Sequence, residues 1–520
     1  MRKLITGKGR QLEDAGLNPD DRAVRRCELA GELEEAGEYE AATEVLGELW
    51  RGVGQRPRVE EFGSRVAGEV LLRAGALTGW LGSAAGIERA QESAKDLLSE
   101  SASVFEGLSD LQKVAEARVE LACCYWREGA FDEARVILRG VLESPAACQP
   151  RQRALALLRL AIVDSSDSRY REALELLTEA SSLFDLEQSN SIKGKFHNER
   201  ANALNYLYQE ERAETHLDRA LIEYTAAAYH FKRAGHTRNE AAVENNLGVL
   251  YISARNFEDA RSHLTHARRL YTSLKDRTRV AQVDETRARL HLAEGRLDEA
   301  EQAARSAVRT LEKGGELALL GETLVTHATA LARLDRDTPA QVCFGRAAET
   351  LLQAGNAEGA GAAYLLAIHE LGVRVPLFEL FKWYEQADVL VGQADRVEVL
   401  MRLRLAARVV LDALRRAERG GQGGRDSLTQ EVRAELPHGF SLKEEVRRLE
   451  SHYIELALKE TGGRVSRAAK LLGFDDHGSL NALLKNKHPE LLKARLPKVP
   501  RRRSILKVRR RIRALKSSTK

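Results

Sequence analysis

The sequence predicts an all-α protein, an α-solenoid of helical hairpins repeating about every 40 residues with a small helix-turn-helix domain near its end. Three observations carry that expectation. Ala, Leu, Glu and Arg dominate, aromatic residues make up only 5%, and the alternation of Val and Ile that marks strands is scarce. Small residues recur as a ladder through the middle of the chain. Late in the chain, TGGRVSRAAKLLGF (461–474) sets a glycine pair before a short helix and Gly473 after it. A chain of 520 residues exceeds one compact core, and long apolar stripes with ten prolines argue against disorder.

Residues 1–22 form an N-terminal segment with no apolar signal core. The solenoid is expected over 23–415. Its ladder is Ala134, Ala173, Ala213, Ala260, Ala300 and Ala340, at spacings of 39, 40, 47, 40 and 40. Twelve residues before each stands Ala122, Ala161, Ala201, Gly248, Ala288 or Ala328; seven after stands Val141, Ala180, Ala220, Ala267, Ala307 or Ala347. Ala30, Ala42 and Leu49 begin the series. Two helices that cross closely leave no room for a larger side chain, and larger apolar residues fill the grooves between repeats. Phe131, Tyr170, Phe257 and Leu297 precede the central Ala by three, and Leu138, Leu177, Leu217 and Leu264 follow it by four. A single pair buries only part of its apolar surface, so stacking is obligatory. Residues 55–110 fit the ladder poorly, with Ala90 or Ala94 as its positions. After 355 it thins to Leu380 and Ala387, as a terminal cap should. The seven extra residues before Ala260 amount to about two helical turns and are expected in one long helix over 211–233.

The segment 241–270 carries Leu247, Gly248, Tyr251, Ala260 and Ala267 and resembles the tetratricopeptide repeat (TPR). The resemblance covers roughly residues 23–390, with a period longer than that family's usual one. It implies that the first helix of each pair lines a concave face, where asparagines can hold a peptide backbone by donating and accepting at once. The asparagines so placed are Asn198, Asn202, Asn205 and Asn245, with Asn246 the neighbour of Asn245, and they are flanked by Lys195, Glu285 and Arg289. The competing reading makes them polar residues of a solvated face.

ERGGQGGRDS (418–427) marks a flexible linker over 416–440. The domain at 441–496 opens with a capping box, Ser441 and Glu444. The stripe Leu442, Val446, Leu449, Tyr453, Leu456 and Ala457 follows, and Gly462 and Gly463 end that helix. Ala469 is expected where two helices touch, and Gly473 where φ must be positive. Through Leu449, Ile454, Ala457, Gly462, Gly463, Ala468, Ala469, Leu472, Gly473 and Leu480, residues 441–487 resemble the helix-turn-helix of the Fis family of DNA-binding regulators. That resemblance implies a homodimer formed through the helices before the motif, and a last helix lying in the major groove. The chain departs from the pattern by one extra residue between Gly473 and Leu480, and by Asp475 and Asp476 at the start of the last helix. His477, Ser479, Asn481 and Lys485 are then the groove residues, and Arg464, Arg467, Lys470 and Lys487 the phosphate contacts. Residues 493–520 hold thirteen Lys or Arg and no Asp or Glu, against a net charge of only +4 for the chain. In the tail at 497–520, Arg501, Arg502, Arg503, Arg509, Arg510 and Arg511 form two clusters suited to a DNA backbone or minor groove. Each basic residue alone could equally be solvated surface.

Cys27, Cys123, Cys124, Cys148 and Cys343 have no metal-ligand spacing and fit a reducing cytoplasm. His291 is expected in the core. ITGKGR lacks the Ser or Thr of a phosphate-binding loop, and no H-E-x-x-H or G-x-S-x-G occurs. No run is apolar enough to span a membrane. The expectation is a bacterial, cytoplasmic, non-enzymatic transcription regulator without metal or cofactor, its partners DNA and a protein or peptide in the solenoid groove. The alternative is a scaffold or adaptor whose C-terminal domain anchors nucleic acid non-specifically or dimerises.

Overall fold

The computed structural model describes residues 18–144, 149–211, 213–391, 397–420, 442–474 and 477–494. Among the described residues there is no strand. The chain divides into two compact units between Ala330 and Leu331.

The first unit is built from α1 (Pro19–Glu35), α2 (Tyr39–Leu46), α3 (Ser64–Ala84), α4 (Ala90–Gly107), α5 (Leu111–Arg127), α6 (Phe131–Glu143), α7 (Pro150–Ser166) and α8 (Tyr170–Leu186). It continues with α9 (Asn190–Glu211), α10 (Glu214–Ala234), α11 (Thr237–Ser253), α12 (Phe257–Ser273), α13 (Arg277–Glu294), α14 (Leu297–Leu311) and α15 (Leu317–Arg333), in which the division falls. Consecutive helices pack as hairpins. Alternate helices also meet directly, α3 on α5, α5 on α7, α7 on α9 and α11 on α13, forming an inner row. The whole is an α-solenoid.

The small-residue ladder is the seam of these hairpins. Ala134, Ala173, Ala260, Ala300 and Ala340 are wholly buried, as are Ala122, Ala161, Ala201, Ala288 and Ala328. At Gly248 the reason is explicit: a Cβ there would stand 2.5 Å from Leu264 Cδ2. Most hairpins turn in three residues, the middle one left-handed. Gly129 (φ 79°) takes that position at no steric cost, whereas Ser168, Arg255 and Asp335 hold φ of 56–58° and are strained. Side-chain caps then start the next helix, as where Asn256 Oδ1 accepts from the Asp259 amide at 3.4 Å.

Three expectations are corrected. The first described helix starts at Pro19, inside the stretch expected as an N-terminal segment to 22, because Asn18 caps α1 by accepting from the Asp21 amide (2.8 Å) and Pro19 suits its first turn. The seven extra residues are not confined to 211–233: α9 has 22 residues and α10 has 21, so the insertion lengthens both arms. Ala213 therefore falls at the start of α10, only partly buried, and Leu217 with Ala220 fills the seam. Residues 55–110 escaped the ladder because α3 uses glycines. Gly68, Gly75 and Gly82 recur every seven residues, and a Cβ on them would meet Phe105, Leu98 and Ala90 of α4.

The second unit holds α16 (Asp337–Gln353), α17 (Ala357–Leu371), α18 (Leu377–Val391) and α19 (Val397–Gly420), with Leu380 and Ala387 wholly buried. α19 runs into the stretch expected as linker from 416; the rest of that linker, from 421, lies outside the described residues. The unit ends with α20 (Leu442–Glu460), α21 (Val465–Leu471), α22 (His477–Asn486) and a 3-10 turn at Pro489–Ala494. Cys27, Cys123, Cys124 and Cys343 are buried. Burial pushes the Cys27 and Cys124 thiols up to about 12, which makes them packing residues.

Candidate nucleic-acid interface and inner-face groove

The C-terminal domain closes around its own core of Ile454, Ala457, Leu458, Ala468, Ala469, Leu480, Leu484 and Leu491. Gly462 (φ 57°) and Gly463 (φ 75°) turn the chain from α20 into α21. Ala469 is 1% exposed where the helices touch, and Gly473 adopts φ 70°. The Phe474 amide donates back to the Ala469 carbonyl at 2.9 Å and closes α21. Ser441, Asp475 and Asp476 lie outside the described residues, and so does the tail with Arg501, Arg502, Arg503, Arg509, Arg510 and Arg511.

α22 buries Leu480 and Leu484 and turns the opposite side outward. His477, Ser479 and Lys485 are exposed there; Asn481 is half-buried and donates from Nδ2 to the His477 carbonyl (2.9 Å). The middle of this face also includes Gly478 and Ala482, both exposed. Helical spacing from Leu480 and Leu484 would have found them, but their side chains carry no donor. Arg464, Arg467 and Lys470 are exposed on or beside α21. Lys487 lies 3.7 Å from Glu450, which also faces the fully buried His488 at 3.3 Å. The opposite side of the motif rests on α19: Arg404 Nη1 donates to the Leu472 carbonyl (3.0 Å), and Arg448 pairs with Asp388 of α18 at 3.2 Å.

In the first unit, the residues expected to form the groove divide by what they touch. Tyr224 of α10, 2% exposed, donates its hydroxyl to Asn202 Oδ1 at 2.7 Å and is also hydrogen-bonded to Asn246. Asn202 and Asn198 donate to Glu199 at 3.4 and 3.0 Å. Asn205 is half-buried. Asn245 is 8% exposed, and its buried Oδ1 has no hydrogen-bond partner among the described residues. Glu285 is 8% exposed and accepts from Thr326 Oγ1 at 2.7 Å, while Arg289 is exposed.

Lys195 has a partner within the chain that its position in sequence does not reveal. Its ammonium donates to the Glu35 carbonyl at the end of α1 (3.0 Å), beside the Ser191 hydroxyl on the same oxygen (2.6 Å). Arg151 pairs with the Glu35 carboxylate at 2.6 Å. Burial, with Arg159 adding to it, pulls Lys195 down to about 8. The end of α1 thus sits on α9. His291 is a correction: it is half-buried at the end of α13, 3.5 Å from Glu294, and not in the core.

Comparison with known proteins agrees with both regions. A family model described as "Tetratricopeptide repeat" matches residues 239–313, and one described as "Bacterial regulatory protein, Fis family" matches residues 445–475. No curated protein sequence matches the chain. Similar solved structures include a Signal Transduction ATPase with Numerous Domains (STAND) protein with a tetratricopeptide repeat sensor from Pyrococcus horikoshii. It is 14% identical over 70% of this chain and 54% of that one, with a TM-score of 0.46. A Rap protein complexed with Competence and Sporulation Factor is 11% identical over 70% and 99%, TM-score 0.46. Aspartyl phosphate phosphatase F from Bacillus subtilis is 14% identical over 74% and 96%, TM-score 0.39.

The chain is therefore an all-α protein that carries tetratricopeptide repeats and a Fis-type helix-turn-helix. Both are non-enzymatic kinds of domain, the first a protein-interaction scaffold and the second a DNA-binding motif. Among the described residues no helix is long and apolar enough to cross a membrane.

Proposed function

We propose that the chain is a cytoplasmic bacterial transcription regulator: its solenoid binds a protein or peptide, and its C-terminal domain binds DNA. The observation that carries this reading is the pairing, in one chain, of a TPR solenoid with a Fis-type motif whose α22 turns its polar side outward. α22 enters the major groove with His477, Ser479, Asn481 and Lys485 toward the bases. Arg464, Arg467, Lys470 and Lys487 meet phosphates, and the arginines of 501–511 add backbone or minor-groove contacts. The inner-face residues Asn198, Asn202, Asn205, Asn245, Asn246, Glu285 and Arg289 hold the partner, with Lys195 at the edge. Two copies bind together through the C-terminal domain, one on each half of a two-fold site.

Selection of bound sites from random DNA, followed by footprinting, tests this directly. The expected result is a footprint of defined sequence and two-fold symmetry that disappears when residues 441–520 are removed. Diffuse, sequence-independent protection supports the adaptor reading, in which the domain only anchors nucleic acid; the small Gly478 and Ala482 on the outward side of α22 favour it to that extent. No DNA binding at all overturns both.

A further inference from the structure

The inner row of the first unit is rich in ion pairs. On α3 and α5, Arg73 pairs with Glu34 and Glu116, and Lys113 with Glu69 and Glu116. Further along, Glu285 on α13 and Glu322 on α15 have no cation within 4 Å among the described residues. Burial raises both above the usual carboxylate range, and Arg289 near both opposes the shift. Glu322 itself is exposed to solvent.

A second, independent feature lies beside them. Asn245 stands three residues before Gly248, as Glu285 stands three before Ala288, forty residues apart in a forty-residue repeat. The two therefore occupy the same turn of α11 and α13, which pack directly on each other. Asn245 is more than nine-tenths buried, and its Oδ1 accepts from nothing among the described residues. Thr326 reaches back from α15 to Glu285, so the row Asn245, Glu285, Thr326 crosses three inner helices. The carboxylates on α11 itself, Glu240 and Glu244, face His263 and His266 of α12 and are not part of it. The buried acceptor of Asn245 is left unfilled, and the buried Glu285 and the exposed Glu322 have Arg289 as their nearby positive charge. The amide oxygen can take any donor, and the carboxylates favour one that carries positive charge.

We propose that the peptide bound on the inner face presents a basic group, a lysine or arginine side chain or a free amino terminus, to Glu285, with Asn245 Oδ1 accepting its second hydrogen bond. Glu322 supplies the outer negative charge, and Arg289 restricts the pocket to one cation. The inference rests on the groove reading above and names the chemistry of its ligand.

The test uses the full chain and fluorescein-labelled random octapeptide pools with one position fixed as Lys, Arg, norleucine or Glu, each pool also made amino-terminally acetylated. Affinity is read by fluorescence anisotropy. The expected result is binding at least about tenfold tighter for Lys or Arg pools than for norleucine pools (a side-chain cation), or a similar loss on acetylation (an amino terminus). Glu285→Gln should abolish the preference. Asn245→Asp, which adds negative charge without removing any side-chain volume, should strengthen it. If neither the fixed residue nor acetylation matters, while Asn202→Ala with Asn245→Ala still abolishes binding, the cation is refuted and the groove stands. If no pool binds, both fall. A Glu285→Gln chain that keeps its helical circular dichroism and its preference for basic pools also overturns the assignment.

Discussion

Replacing Gly248 by alanine should destabilise the protein, whereas the same replacement at Gly140 should stabilise it. Both glycines lie inside helices, α11 and α6, so each exchange gains about 1 kcal/mol of helix propensity. At Gly140 a new Cβ meets nothing within 4 Å, and the full gain should appear. At Gly248 it would stand 2.5 Å from Leu264 Cδ2 and 2.6 Å from Leu264 Cγ, against roughly 3.5–4.0 Å for a carbon contact. Leu264 would have to move by about 1 Å inside a core shared with Ala260, Ala267, Tyr271 and Val283, all buried. Overpacking of that kind costs about 1–3 kcal/mol, so the two variants should differ by about 1–3 kcal/mol. Gly248→Val, which adds two more methyl groups, should lose more. With a urea slope of about 1–3 kcal/mol per M, midpoints read by circular dichroism should separate by about 0.3–3 M. Leu264→Ala in the Gly248→Val background should recover part of the loss. Equal shifts for Gly140→Ala and Gly248→Ala, or no recovery by Leu264→Ala, would refute the account of the ladder as a steric seam.

Other outcomes follow from the same coordinates. Lys275 holds φ at 57° in an exposed turn, so Lys275→Gly should raise stability by about 1 kcal/mol in the same urea assay. His236, 8% exposed, has its pKa lowered below 6.5 by burial and then by Lys195. The folded chain thus holds the ring neutral while the unfolded chain takes up a proton, so stability is kept above 6.5 and lost as pH falls below it. His236→Gln should remove up to one proton's slope, about 1.4 kcal/mol per pH unit, from that acid limb of a pH–stability curve. If Arg467 and Lys470 meet phosphates, Arg467→Ala with Lys470→Ala should lower the slope of log affinity against log salt by about 2 and weaken all DNA sequences alike. An unchanged slope in gel-shift titrations would remove them from the interface.

Much of the architecture was legible in the chain because the helix-crossing points tolerate only small residues, and that steric demand writes a period. Ala260, Ala300 and Ala340, with Ala288 and Ala328 twelve residues before the last two, announce their hairpins without any long-range information. Ala469 and Gly473 do the same for the helix-turn-helix, because a close contact and a positive φ are local requirements. The ladder failed where another residue did the same work. Gly68, Gly75 and Gly82 of α3 make the approach on the first helix instead of the second, and the insertion near Ala213 was shared between two helices.

The candidate groove was legible as a set of positions, not as a set of available groups. Sequence spacing places four asparagines on one face, with Asn246 beside them. Only the tertiary structure decides that Tyr224 holds Asn202 and Asn246, and that Asn245 keeps an acceptor unfilled among the described residues. The same is true of Lys195, whose partner Glu35 lies 160 residues away in the chain. Local sterics and helix periodicity are properties of neighbours in sequence. Which polar atoms are already paired depends on segments brought together only when the repeats stack.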